Sequence, residues 1–310
     1  MAKTIRDIYG ETLVKYGTTD ERIVVLDADV SNSTKSAIFA KAVPERFFNL
    51  GIAEANMAGI GAGLAAGGKI PFINTFAVFL TSLGLLAART YGSYSNWNMK
   101  YVGAYGGLSN GFDGPTHHSI EDLAVFRTLP NFQVFVASDA RQTAWLVKNA
   151  IDHHGPMYIR LTRNAIPDIY DDNATFKTGK GNIVRQGDDV TIIACGLMVK
   201  PALDAAETLA TQGVSAQVVD MFCIKPLDKE LILDCAKKTK LVVTVEEHSI
   251  IGGLGGAVAE VMATGGSGVP QVFIGLNDTH AETGTLNALF EKYGLTADDI
   301  VAKTLKGLGK

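Results

Sequence analysis

Charge is scarce in this chain, and so is cysteine. Only 19% of its 310 residues are charged and the formal net charge is -4, which excludes a disordered polyelectrolyte and a strongly basic nucleic-acid binder. The three cysteines, Cys195, Cys223 and Cys235, stand far apart. They form neither a C-x-x-C pair nor a zinc-ligand pattern, so no disulfide scaffold or metal cluster is expected, and a reducing cytoplasm fits. The opening residues, Met-Ala-Lys-Thr-Ile-Arg-Asp, lack the apolar core of a signal peptide, so export is not indicated. No short-period repeat or low-complexity tract is present.

Apolar residues are plentiful instead. They make up 47% of the chain, and counting the 33 glycines in place of the nine tyrosines raises the share to roughly 55%, above the usual range. Between Arg46 and Lys69 the only charge in 22 residues is Glu54, and Ile70 to Ala88 carries none. By length this region is long enough to span a bilayer. Pro71, Asn74, Thr75, Thr81, Ser82 and Gly84 interrupt it, and Gly59, Gly61, Gly63, Ala65 and Ala66 suit close helix contacts. A buried core or subunit interface is expected here, not a membrane span.

The length suggests two domains. Short β-branched runs alternate with helical stretches, the pattern of parallel sheets flanked by helices. Strands are expected at Ile23 to Leu26, Ile70 to Asn74, Tyr101 to Ala104, Gln133 to Ala137 and Met157 to Leu161. Helices fall between them at about Ile52 to Ala66, Phe76 to Tyr94, Ser119 to Arg127 and Arg141 to Ile151. From Asn164 to Asp189 Pro, Gly, Asp and Asn break the pattern, and a second alternation runs from Val190 to Phe273. The expected architecture is α/β, with mostly parallel sheets in domains at 1–170 and 187–310 and a linker at 171–186.

Several features have two readings each. Glu54, at the expected start of a helix, either complements the helix dipole or serves as a buried carboxyl that shares a proton with a ligand ring nitrogen. The loop Asn110-Gly-Phe-Asp-Gly-Pro-Thr-His-His-Ser-Ile-Glu-Asp122 crowds Asp113, Thr116, His117 and His118 beyond a strand end, where ligands bind in open sheets. A turn with Ser119 as helix cap and Asp122 completing a capping box explains much of it, though not two adjacent histidines. Phe76 and Phe79 share a helix face as core or as a cofactor platform. Gly252-Gly-Leu-Gly-Gly256 suits close helix packing better than anion binding, and Glu246-Glu-His248 reads as a solvated cluster. His153-His154 lacks the spacing of a helical metal pair.

With Gly-Ile-Ala-Glu-Ala-Asn-Met around Glu54, the Phe76 and Phe79 pair, and Asp113-Gly-Pro-Thr-His117, the chain resembles the C-terminal half of transketolases, in particular the separate subunit of split, two-chain enzymes. The resemblance covers nearly the whole chain, from Arg6-Asp-Ile-Tyr-Gly10 and Leu26-Asp-Ala-Asp-Val-Ser-Asn-Ser-Thr-Lys-Ser36 to Glu246-Glu-His and Gly252-Gly-Leu-Gly. It implies a thiamine diphosphate pyrimidine-binding domain followed by a transketolase C-terminal domain, and transfer of a two-carbon ketol unit from a ketose to an aldose. By carry-over Glu54 bonds the cofactor's aminopyrimidine, Phe76 stacks on it and Phe79 walls the pocket. Asp113 and His117 bond substrate hydroxyls, and Arg6, Ser36 and Arg163 hold a terminal phosphate.

The departures are as informative as the matches. Tyr105 stands where relatives carry a phosphate-binding histidine, Phe112 where an acidic residue precedes the loop Asp, and Ser82 where some place a third aromatic. A tyrosine supplies no imidazolium charge, so a sulfonated, branched or otherwise modified sugar is a second expectation for the substrate. The Gly-Asp-Gly and downstream Asn that hold magnesium and the diphosphate are missing from the sequence. The resemblance thus implies a partner chain bearing the Mg2+ ligands, with active sites between chains and an α2β2 assembly. The rival readings are a β-type subunit of the first component of a 2-oxoacid dehydrogenase and a non-catalytic regulatory subunit.

Overall fold

The computed structural model describes residues 4–310. Its strands in chain order are β1 Ile23–Asp27, β2 Phe47–Asn49, β3 Ile70–Phe76, β4 Lys100–Ala104, β5 Gln133–Val136, β6 Met157–Arg160, β7 Asn182–Arg185, β8 Val190–Ala194, β9 Ala216–Asp220, β10 Cys223–Lys225, β11 Leu241–Ser249 and β12 Gln271–Leu276. They form two sheets, ordered β10-β5-β6-β4-β3-β1-β2 and β12-β11-β8-β9-β7. Pairing is parallel except at one edge of each, where β10 runs against β5 and β7 against β9. The central strands β1, β3 and β4 are buried throughout, which is why they read as continuous apolar runs without alternation.

The helices obey local signals. Thr4 and Asp7 form a capping box on helix Ile5–Gly17, and Asp139 caps helix Ala140–Asp152, which packs on it. Helix Glu54–Ala66 buries Met57, Ala58, Gly61 and Ala62. A Cβ on Gly61 would meet Ile73 Cδ1 at 2.6 Å, so glycine sets the helix-to-sheet approach there. The opposite face, with Ala55, Asn56, Gly59, Ile60 and Gly63, is exposed and uncharged. Ile52, Leu86 and Tyr94 nearby are also largely exposed. Among the described residues no helix is long and apolar enough to cross a membrane.

Four expectations need correction. The helix expected over Phe76 to Tyr94 is broken: Phe76 ends β3, a short helix spans Ala77–Ser82, and a wide-turned segment occupies Ala88–Tyr94. Ser119 is not a helix cap. The helix begins at Asp122, after Glu121, and the Asp122 carboxylate turns inward to Tyr158 and Arg160. The expected linker contains β7, a short edge strand without an apolar run to announce it. The Glu246-Glu-His248 cluster is buried, not solvated. Glu246 accepts from the amides of Leu254 and Gly255 at 2.7 and 2.8 Å, so the glycine-rich helix start does bind an anion, the chain's own carboxylate.

The two sheets meet along a buried polar seam. Arg160 Nε lies 3.3 Å from Asp122 Oδ2, which also accepts from Tyr158 at 2.6 Å. Arg160 Nη2 donates to the carbonyls of Ser119 and Glu247 at 3.2 and 2.9 Å. Burial works against the guanidinium's charge, but Asp122 and Glu247 outweigh it and hold Arg160 above its ordinary value. Burial also pushes the Glu247 carboxyl up to about 7, against the pull of Arg160. Further along the seam, Asp220 accepts from Ser138, Gln142 and Tyr170 at 2.8, 2.9 and 2.6 Å. Burial raises it to about 6. Cys195, Cys223 and Cys235 are buried and free.

Candidate active site

Strands β6, β4, β3, β1 and β2 lie side by side with parallel direction, so the segments after them emerge at one edge of the sheet. That edge is where open parallel sheets bind ligands. Chain direction alone brings Glu54 there after β2, Phe76 from the end of β3, Tyr105 and its loop after β4, and Arg163 after β6. Arg6 reaches the same edge from the first turn of helix Ile5–Gly17.

Glu54 is the first residue of its helix and only 4% exposed. Its position in the first turn suits a carboxylate against the helix dipole. Thr75 Oγ1 donates to its Oε1 at a long 3.4 Å, which leaves most of the carboxyl's bonding capacity uncommitted. Next to Thr75, Phe76 begins an aromatic cluster. Its ring stacks on Tyr105 with centroids 4.6 Å apart and on Phe79 at 5.8 Å. The His117 ring meets Phe79 and Phe76 edge-on at 5.3 and 6.0 Å. The Phe76 and Phe79 pairing therefore holds, though through a strand end and a helix, not through one helix face.

On its other side Tyr105 faces cations. The guanidinium carbons of Arg6 and Arg163 lie 4.7 and 5.3 Å from its ring centre. Arg6 also donates to the Tyr105 hydroxyl at 3.2 Å, to Ser33 O, and to Arg163 O at 2.8 Å. Burial draws the Arg6 guanidinium below its ordinary value, with Arg163 adding repulsion. Its Nε is buried without a partner. Arg163 is exposed and donates to Asn110 O at 3.0 Å, at the start of the loop.

Not every expected residue arrives. Ser36 is fully buried, and its hydroxyl donates to Asp27 Oδ2 at 2.8 Å. Buried Asp27 needs the donors Ser36, Thr34 and Val30 N, and that demand turns Ser36 away from a substrate phosphate. Asp113 stands exposed in the loop, as does Phe112. Of the two histidines only His117 faces the aromatics; His118 is buried against the loop's own Gly111 O. Ser82 donates to Val78 O within its helix. Among the described residues no group of three His, Cys, Asp or Glu gathers as a metal site would require.

Arg160 has no place in the sequence reading, which assigns Asp122 to a helix cap and Glu247 to the surface. Arg160 did leave a signal, as the one charge in the apolar strand Met157 to Leu161.

A buried carboxyl, an aromatic wall and two guanidiniums on one edge suit a heteroaromatic ring beside an anionic substrate. Residues 1–168 match the family described as Transketolase, pyrimidine binding domain, and residues 179–300 match Transketolase, C-terminal domain. A split-gene transketolase solved as an inactive β4 tetramer superposes with a TM-score of 0.92 at 48% identity, covering 99% of this chain and 98% of that one. A chain of Methanocaldococcus jannaschii named for a transketolase C-terminal section is 44% identical over 99% of this chain and 97% of its own length. A 6-deoxy-6-sulfo-D-fructose transketolase subunit of Clostridium sp. (strain MSTE9) is 41% identical over 96% and 92%. These relatives favour neither the 2-oxoacid dehydrogenase reading nor the regulatory one. With both halves matched and the relatives of similar length, the chain belongs to the transketolase family and carries its pyrimidine-binding and C-terminal domains.

Proposed function

We propose that this chain is the pyrimidine-side subunit of a two-chain, cytoplasmic transketolase that moves a two-carbon ketol unit from an anionic ketose to an aldose. The observation that carries this reading is Glu54, a buried carboxyl met by one long bond, beside the stacked ring of Phe76. That donor set fits the aminopyrimidine end of thiamine diphosphate. When bound, the cofactor supplies an acidic thiazolium carbon that makes and breaks the bond to a ketose carbonyl. Glu54 holds a proton against the ring nitrogen, Phe76 presents its face to the ring, and Phe79 closes the wall. Asp113 and His117 orient substrate hydroxyls from the loop, while Arg6 and Arg163 neutralise the terminal anion.

Magnesium and the diphosphate fall to an N-terminal partner subunit, in an α2β2 assembly whose sites lie between chains. The uncharged face of helix Glu54–Ala66 and the exposed Ile52, Leu86 and Tyr94 supply the kind of surface such a partner covers. The first domain would end near 170, and the second would begin before β7, which pairs with β9, and not at 187. Native mass spectrometry of the C-terminally tagged chain, purified from its own cells with magnesium and thiamine diphosphate, tests the assembly. A second chain at equal stoichiometry with bound cofactor is the expected result. A homo-oligomer without cofactor would overturn the reading.

The terminal group of the sugar is decided around Tyr105. Its hydroxyl gives the anion a neutral donor where an imidazolium would give a charged one, so phosphate loses its usual advantage over a sulfonate. Tyr105→His is expected to raise kcat/KM for a phosphate-ended ketose relative to its sulfonate analogue by about tenfold, the worth of one charge-assisted bond. An unchanged ratio in steady-state assays of the complex would remove Tyr105 from specificity.

A further inference from the structure

The residues expected to touch substrate from Tyr105 to His117 all depend on one loop, and the second domain holds its neck. Residues 106–119 form a closed loop: Gly107 and Ser119 exchange backbone bonds at 2.8 and 3.1 Å. Gly107, Gly111 and Gly114 turn the chain with positive φ of 63°, 59° and 77°. Inside the neck the amide of Leu108 is buried, and Glu247 Oε2, from β11 of the second sheet, accepts it at 3.2 Å. The fit is close, since a Cβ on Gly107 would lie 2.4 Å from Glu247 Cδ.

The same strand grips the loop twice more. Glu247 O shares Arg160 Nη2 with Ser119 O, and Ser249 N donates to Ile120 O at 2.8 Å. Leu108 and Ile120, one on each side of the neck, belong to the second domain's apolar cluster with Val190, Ile192 and Val245. At the loop's far end a Cβ on Gly111 would meet Gly284 O at 2.8 Å, and one on Gly114 would meet Thr283 Oγ1 at 2.5 Å. Glu54, Phe76, Phe79 and Arg6 sit on elements this grip does not touch.

We infer that Glu247 is a positioning residue: by accepting the Leu108 amide it holds the neck of the loop that carries Asp113 and His117 and begins beside Tyr105. The second domain thereby sets substrate geometry without contacting substrate. For the kinetic consequence the inference rests on the transketolase reading; for the loop it does not. Removing the acceptor leaves a buried N–H unpaired and loosens the neck, which backbone bonds still close, while Glu54 and Phe76 stay in place on their own elements.

Three variants of Glu247, assayed in the reconstituted two-chain enzyme, separate reach from charge. Glu247→Asp keeps the charge near Arg160 but falls one methylene short of Leu108. Glu247→Gln keeps the reach and loses the charge, and Glu247→Ala loses both. Asp and Ala are expected to raise the donor-ketose KM at least tenfold with cofactor half-saturation unchanged, and Gln to stay within about twofold of the parent. In hydrogen exchange of this chain alone, the 106–119 segment of the Asp and Ala forms should open at least tenfold faster, and that of Gln should not.

Parent-like KM and exchange in the Asp form would overturn the inference, as would a Gln form as impaired as Ala. If the parent complex transfers no ketol unit, the transketolase reading fails. The exchange measurement then still decides whether Glu247 holds the loop.

Discussion

Replacing Glu54 by Gln in the assembled enzyme is expected to lower kcat by about three orders of magnitude, the range set by loss of a positioned acid–base group. Gln is close to isosteric and keeps an oxygen for the Thr75 hydroxyl, so the helix start and the aromatic wall remain as they are. What it cannot do is hold and release a proton against a ring nitrogen. Cofactor binding, followed by near-ultraviolet circular dichroism, should therefore survive while turnover collapses. Unchanged turnover would mean that Glu54 serves only the helix dipole, and the chain would be a structural companion to chemistry performed elsewhere. A joint loss of binding and turnover would make Glu54 an anchor for the cofactor and not a proton carrier.

The strands that carry the site were legible because they are buried on both faces and keep their apolar runs. Glu54 was legible for the opposite reason, as an isolated charge in a charge-poor region. Residues whose partners lie far away in sequence were not. Ser119 followed by Asp122 has the spacing of a capping box, yet Asp122 is drawn to Arg160 and Tyr158, whose demand for a buried anion outweighs a local cap. Ser36 fits a phosphate site by resemblance, but buried Asp27 claims its hydroxyl. Glu246 and Glu247 look solvated in a linear reading, but Glu246 is buried against the helix start at Leu254 and Gly255 and Glu247 where the two sheets meet. β10, three residues long, leaves the second half of the chain to pair with β5, and no periodicity announces an edge strand borrowed across domains.

The Asp122–Arg160 pair yields the largest expected effect on stability. Both side chains are almost fully buried, at 0% and 2% exposure, and beyond Asp122 the guanidinium's partners are the carbonyls of Ser119 and Glu247. Asp122→Ala takes away the guanidinium's nearest carboxylate and leaves only Glu247 to balance it, at a cost of about 3–5 kcal/mol, and should lower the melting temperature by about ten degrees. Asp122→Asn keeps an oxygen for the Tyr158 hydroxyl but leaves Glu247 as the guanidinium's remaining carboxyl partner, so it should be destabilised less than the alanine variant. The double variant Asp122→Leu, Arg160→Met removes both charges of the pair and should recover part of the loss, but not all of it, because the Tyr158 hydroxyl and the Ser119 and Glu247 carbonyls are left unpaired and Glu247 loses its cation. Recovery of stability need not restore activity. Arg160 also ties Ser119 O to Glu247 O at the neck of the substrate loop, and methionine donates to neither. The double variant is therefore expected to melt above the Asp122→Ala single variant and below the parent, while keeping a raised donor KM. A thermal scan and a steady-state assay of the same preparations decide this. If KM recovers together with stability, the guanidinium serves only to balance Asp122; if it stays high, the ion pair is retained because it fixes the loop.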